Sequence, residues 1–194
     1  MRTQLISKQF QTTFDYAQVP AGMTIMEKEI VNRVAQSQLM TFDLEDYYPK
    51  GERRVLDIKD WLYEGLILRE KEFRTHVEAQ DWTAYQDAYV ALTCSSDAII
   101  PGWAYMLVTS KLLPYAKKVV VGSLEDLETA LYQTLLENLD VSEFTDKPVI
   151  IKGCSHKPVP ENAYLMAMAK LQPIAKSVMY GEACSSVPLF KRKE

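Results

Sequence analysis

The side chains of this sequence with the widest chemical range are its three cysteines: Cys94 in Thr93-Cys94-Ser95, Cys154 in Gly153-Cys154-Ser155, and Cys184 after Gly181-Glu182-Ala183. Three thiolates drawn together suit a soft metal, either zinc completed by a fourth ligand or an iron–sulfur cluster with one open position. Asp97, His156 and Glu182 are the nearby candidates for that fourth place. Two other readings compete. Free cysteine is among the most buried residue types, so the three can serve as small hydrophobes closing one end of a sheet in an interaction or structural protein. Alternatively Cys154, just before a helix start and two residues from His156, sits where thiolate is favoured, as a thiol-dependent enzyme requires. No C-x-x-C pair, G-x-G-x-x-G or P-loop accompanies them, so the metal reading rests on what the fold brings together.

The elements that must position these cysteines emerge from an internal repeat. Pro101 to Gly122 aligns without gaps on Pro160 to Gly181 at an offset of 59, with Pro, Ala, Tyr, Lys, Leu, Pro, Ala, Lys, Val and Gly identical. Upstream, Val90-Ala-Leu-Thr-Cys94-Ser95 answers Ile150-Ile-Lys-Gly-Cys154-Ser155 with one residue of slippage. Residues 88–122 and 148–181 therefore read as two copies of a strand–helix–strand unit. A proline opens each helix, and Pro114 and Pro173 close it because the ring cannot continue the hydrogen-bond ladder.

Four apolar strands alternating with helices (about 88–94, 117–122, 148–153 and 176–181) predict an α/β fold, a doubly wound and mostly parallel sheet with an N-terminal α/β elaboration. With strand order 2-1-3-4, Cys94 and Cys154 would flank the crevice where the order reverses, the usual ligand position in such sheets. Cys184 would enter from the loop after the fourth strand. Trp103, Tyr105 and Tyr164, in the first turns of the repeated helices, would either wall a pocket at that edge or join the core.

Around this unit, residues 1–25 read as a flexible extension and 26–194 as a single domain. A helix is expected over Met26–Gln38 and another over Leu68–Gln80, and Met40–Leu44 and Val55–Ile58 read as the strands of a hairpin across Tyr47-Tyr48-Pro49-Lys50-Gly51. Between the copies, Leu127, Leu131, Leu135 and Leu139 mark one stripe of a helix.

Composition narrows the function classes. At 194 residues, 47% hydrophobic and 25% charged, the chain has enough apolar material for one core. A net charge of −4 disfavours nucleic acid, which attracts a basic face, and no apolar run approaches the roughly 20 residues that span a bilayer. An odd number of thiols without a secretory leader points to the reducing cytoplasm. A small molecule is the partner such a crevice would admit, and no reaction or oligomeric state is indicated.

Four runs together resemble domain-of-unknown-function family 2480, an uncharacterised bacterial family associated with Bacteroidetes. They are Asp43-Leu-Glu-Asp-Tyr-Tyr-Pro-Lys-Gly-Glu-Arg53, Cys94-Ser-Ser-Asp97-Ala-Ile-Ile-Pro101, Gly153-Cys154-Ser155 with Pro158-Val-Pro160, and Met179-Tyr-Gly-Glu182-x-Cys184-Ser185. The likeness covers about Met26 to Lys193. It implies matched cysteines at Cys94, Cys154 and Cys184 and matched acids at Asp97 and Glu182, with no histidine at His156, and it implies no activity.

Overall fold

The computed structural model describes residues 38–153, 156–182 and 185–193. The extension at 1–25 and the helix expected from Met26 fall outside this range, as do Cys154 and Cys184. The described chain is a mixed α/β structure with mostly parallel strands, divided between two sheets.

One sheet has the order β2-β3-β4, from Arg53–Asp57, Tyr89–Thr93 and Lys118–Val121, all parallel. The other has the order β1-β5-β6-β7, from Met40–Phe42, Pro148–Ile151, Ser177–Glu182 and Ser185–Lys191, parallel except for the last pair. The helices are α1 (Glu70–Ala79), α2 (Gly102–Leu112), α3 (Leu124–Asn138) and α4 (Glu161–Leu171).

This arrangement corrects two expectations. The strands ending at Thr93 and Ile151 are not neighbours, since each is an interior strand of a different sheet, and the described strands do not form a single doubly wound sheet. Nor do β1 and β2 make a hairpin: β1 pairs with β5 and β2 with β3. Both middle strands are buried on both faces (Val90-Ala91-Leu92 and Val149-Ile150-Ile151) and are continuous apolar runs. Such a run demands a parallel neighbour on each side, but many apolar edges satisfy that demand, so local pattern does not choose between partners.

Equivalent features recur 59 residues apart. The helices 102–112 and 161–171 do so, as do the left-handed Asp87 and Asp146 and the positive-φ glycines Gly122 and Gly181. The register repeats as well: Tyr89 pairs with Lys118 and Pro148 with Ser177. Because this spacing runs through the strands without slippage, the position answering Cys94 is Gly153, and Cys154 lies one residue beyond it. A second recurrence involves the outer strands. Phe42 pairs with Ile151 as Leu56 pairs with Leu92, so Thr41-Phe-Asp-Leu-Glu-Asp-Tyr47 and Val55-Leu-Asp-Ile-Lys-Asp-Trp61 occupy matching places.

Helix α3 serves both sheets. Its N-terminus is closed by a capping box between Ser123 and Asp126, and Gly122 must be glycine because a Cβ there would lie 2.4 Å from the Asp126 carboxylate. Leu127 and Leu131 pack on Ala91, Tyr89 and Val120 of the first sheet. Tyr132 and Leu136 join Phe42, Leu44, Val149 and Ile151 in the core of the second. The expected leucine stripe is thus split between two cores.

The run Ser185–Lys191 forms a further strand. β7 pairs antiparallel along β6, with a bulge at Val178/Met179 and Pro188 on the sheet edge, where a missing N–H costs nothing. Arg192 then binds Asp146 and the carbonyls of Pro173 and Ile174.

Candidate functional site

Chemistry-bearing residues collect at the carboxyl ends of the strands in each sheet, and the two collections differ. At the β2-β3-β4 edge, Cys94 follows β3, half-buried, with its Sγ 3.2 Å from Ser96 Oγ. Asp57, ending β2, accepts the Lys59 N–H at 3.0 Å and the Ser95 N–H at 3.1 Å. Burial alone would raise the Asp57 carboxyl, but the Ser95 side chain, then these backbone bonds and the Lys59 charge, hold it below its ordinary value. Tyr105, whose hydroxyl is pushed up by burial and then by nearby Cys94 and Asp57, packs against the core as Trp103 and Cys94 do.

The Asp57 arrangement predicts an acid-side effect. Its folded-state value lies below its unfolded one, so the stabilisation is complete above about pH 4 and is lost as pH falls from there through the folded value. Thermal midpoints measured from about pH 5 to pH 2 should fall less steeply for Asp57→Asn than for the parent. Parallel slopes would remove the assignment.

At the β1-β5-β6 edge, Lys152 pairs with Asp43 at 2.5 Å, and this hydrogen bond raises the ammonium above its ordinary value. Glu45 accepts the backbone N–H groups of His156 and Lys157. Glu182 ends β6, and Tyr180 donates to the Gly153 carbonyl at 3.3 Å.

These positions overturn the three-cysteine metal centre. Among the described residues no group of three or more His, Cys, Asp or Glu is disposed to hold a metal. Cys94 follows a strand of one sheet, whereas Gly153 and Glu182, flanking the chain positions of the other two cysteines, lie at the other sheet's edge. The crevice that was to gather the thiols required β3 and β5 side by side. Asp97 is exposed in the loop after Cys94, so the proposed acids Asp97 and Glu182 also sit at different sheets. A dyad of Cys154 with His156 falls outside the described residues at its cysteine. His156 itself is exposed, as is His76, which stacks on Trp61.

The most enclosed constellation lies elsewhere, where the chain before β2 meets the starts of α3 and α4. Arg53 forms a bidentate pair with Glu128, Nε to Oε1 at 2.7 Å and Nη2 to Oε2 at 3.1 Å. Its Nη1 donates to the Pro49 and Gly51 carbonyls at 2.6 and 2.8 Å. The guanidinium lies 4.3 Å from the Tyr48 ring centroid and 5.3 Å from that of Tyr89, and the Tyr48 hydroxyl donates to Glu128 at 3.2 Å. Glu128 is 5% exposed, which a carboxylate tolerates only when saturated with donors, as here. Burial, followed by the Glu128 charge, pushes the Tyr48 hydroxyl up.

This strut forms the polar floor of a cleft of about 420 Å³. Tyr48, Leu124 and the run Pro158-Val159-Pro160 wall it, and Glu125 and Glu161 stand on its rim in the first turns of α3 and α4. Neither rim carboxylate has an ion-pair partner among the described residues. The lining itself carries three carboxylates against one guanidinium, with the Lys157 ammonium beside it 5.5 Å from the Tyr48 ring centroid. The sequence places Tyr48 in a turn-forming cluster, Arg53 at the end of a run that carries the family resemblance, and gives Glu128 no mark as a site residue. The available signal was an acid four residues before Tyr132 on the apolar side of an amphipathic helix, a place that requires a cationic partner.

Comparison with known proteins comes down to a single finding. A sequence-family model described as "Protein of unknown function (DUF2480)" matches residues 28–192. No curated protein and no solved structure matches the chain.

Proposed function

The chain belongs to the DUF2480 family, and from that premise we propose that it is a cytoplasmic binding protein for a small organic cation with an apolar body, built from two copies of one strand–helix–strand unit. The observation that carries this reading is the cleft over the Arg53–Glu128 strut: apolar walls, a floor of saturated polar groups, and two carboxylates without ion-pair partners among its lining residues. Sites for small molecules combine these features, with apolar area supplying affinity and a few fixed polar groups setting orientation. Because Glu128 is already saturated, the ligand's charge is left to Glu125 and Glu161, while its body lies against Val159 and Tyr48. The recurrence at 59 residues supports the duplication, since strands, helices, register and left-handed positions all follow it.

The test uses 2-phenylethylamine as probe and phenylacetate as its anionic counterpart, with binding followed by amide chemical shifts. Saturable shifts at Tyr48, Leu124 and Val159 with the amine, and weaker ones with the acid, are expected. Val159→Trp fills the cleft and should abolish them while the circular dichroism spectrum stays that of the parent. Unmoved cleft amides, or a Val159→Trp variant that binds as the parent does, would overturn the reading.

A further inference from the structure

Resting on that reading, we infer that the chain holds a second site for the same class of ligand, in the groove that occupies the corresponding place of the first unit. The run Ile99-Ile100-Pro101 leads into α2 as Pro158-Val159-Pro160 leads into α4, 59 residues later. The opposite wall corresponds as well. Tyr48 follows the Asp43–Tyr47 turn beyond β1, while Tyr63 to Leu68 follow the matching Asp57–Trp61 turn beyond β2. Between these walls the first unit has a shallow groove of about 520 Å³, lined among others by Leu66, Ile67, Asp97, Ile99 and Trp103.

Two properties of the groove point to a ligand of the same chemistry. Its apolar residues are left open to water, with Ile99 94% exposed, Leu66 58% and Ile67 54%, and all three line the same groove. Its charge is negative and partly uncompensated. Glu70 is held by Arg74 at 3.0 Å, but Asp97 has no ion-pair partner among the described residues. An ammonium at Asp97 would place an aryl or alkyl body against Ile99 and the edge of Trp103, whose ring already carries the Arg74 guanidinium 5.5 Å from its centroid. The two sites are not identical. The cleft of the second unit is closed on one side by α3 and its buried strut, whereas the groove of the first is bounded by the start of α1 and stays open. The groove should therefore bind more weakly, because less of the ligand leaves water.

Titration of the full chain with 2-phenylethylamine tests this, with stoichiometry read by calorimetry and location by the Trp103 indole N–H and the Ile99 amide. Two equivalents are expected, the weaker one shifting Trp103 and Ile99. Val159→Trp should retain only the weaker equivalent. Asp97→Asn should weaken that equivalent by about fivefold, the scale of one exposed charge pair, and leave the tighter one unchanged. Asp97 and Ile99 are both on the surface, so Ile99→Lys should keep the fold, serves as a second block and should remove the weaker equivalent. A single equivalent confined to Tyr48, Leu124 and Val159 would overturn the second site and leave the cleft reading standing. No binding at either place would overturn the cleft reading itself. Phenylacetate shifting Trp103 as strongly as the amine would overturn the assignment of charge.

Discussion

Glu128→Ala is expected to lower the unfolding free energy by about 3–5 kcal/mol, the cost of leaving a buried charge without its partner. The truncation leaves Arg53 with only the Pro49 and Gly51 carbonyls, between two tyrosine rings and 13% exposed. It also removes the acceptor of the Tyr48 hydroxyl. Glu128→Gln should cost less, since an amide oxygen can still accept one of the Arg53 donors. The paired change Arg53→Met with Glu128→Leu should recover much of the loss, because it removes both desolvated charges together. Urea unfolding of these proteins at one pH, together with the single variants Arg53→Met and Glu128→Leu, supplies the measurement, and the coupling between Arg53 and Glu128 can be read from the cycle those singles complete. A loss under about 1 kcal/mol for Glu128→Ala would mean that the pair is open to water and that the floor of the cleft is not the saturated polar element described.

The second large effect is expected at Phe42. It is the last residue of a three-residue strand, 1% exposed, with its ring 5.3 Å from Tyr47 and 5.4 Å from Phe144. Deleting a buried aromatic ring costs about 3–5 kcal/mol through lost transfer energy and the cavity left behind. So short a strand has little else to hold it, and the loss should be visible locally. The Lys152 amide, which donates to the Phe42 carbonyl at 3.0 Å, should exchange its hydrogen faster in Phe42→Ala, and the Asp43–Lys152 pair should loosen with it. Thr41→Ala, one residue earlier on the exposed side of the same strand, should change stability by no more than about 0.5 kcal/mol. If Phe42→Ala were equally mild, β1 would not be an integral strand of the second sheet.

Both effects depend on pairings between distant parts of the chain, and these separate what could be read locally from what could not. Helices α1 and α3 announce themselves by apolar spacing, and α2 and α4 by paired prolines at their ends. Family membership could be read from four runs of residues, and the family match over 28–192 bears it out. The candidate site was less legible. Tyr48 and Arg53 stood in one of those runs, but their partner Glu128 is 75 residues from Arg53, and no periodicity links them.

The sequence alone determined that this protein is α/β with mostly parallel strands, because apolar runs of strand length alternate with helices and consecutive parallel strands require a crossover between them. It also determined the repeat spacing, because identical residues fall 59 apart whatever the chain's path. Only the tertiary structure decided that the strands divide into two sheets, with β1 crossing to join β5 while β2 joins β3. Backbone hydrogen bonds are the same along every strand edge, so an apolar strand carries no mark of which edge it will meet. That choice is settled by packing, by α3 seating Leu127 on one sheet and Tyr132 on the other, and it leaves Cys94 on a different sheet from Gly153 and Glu182.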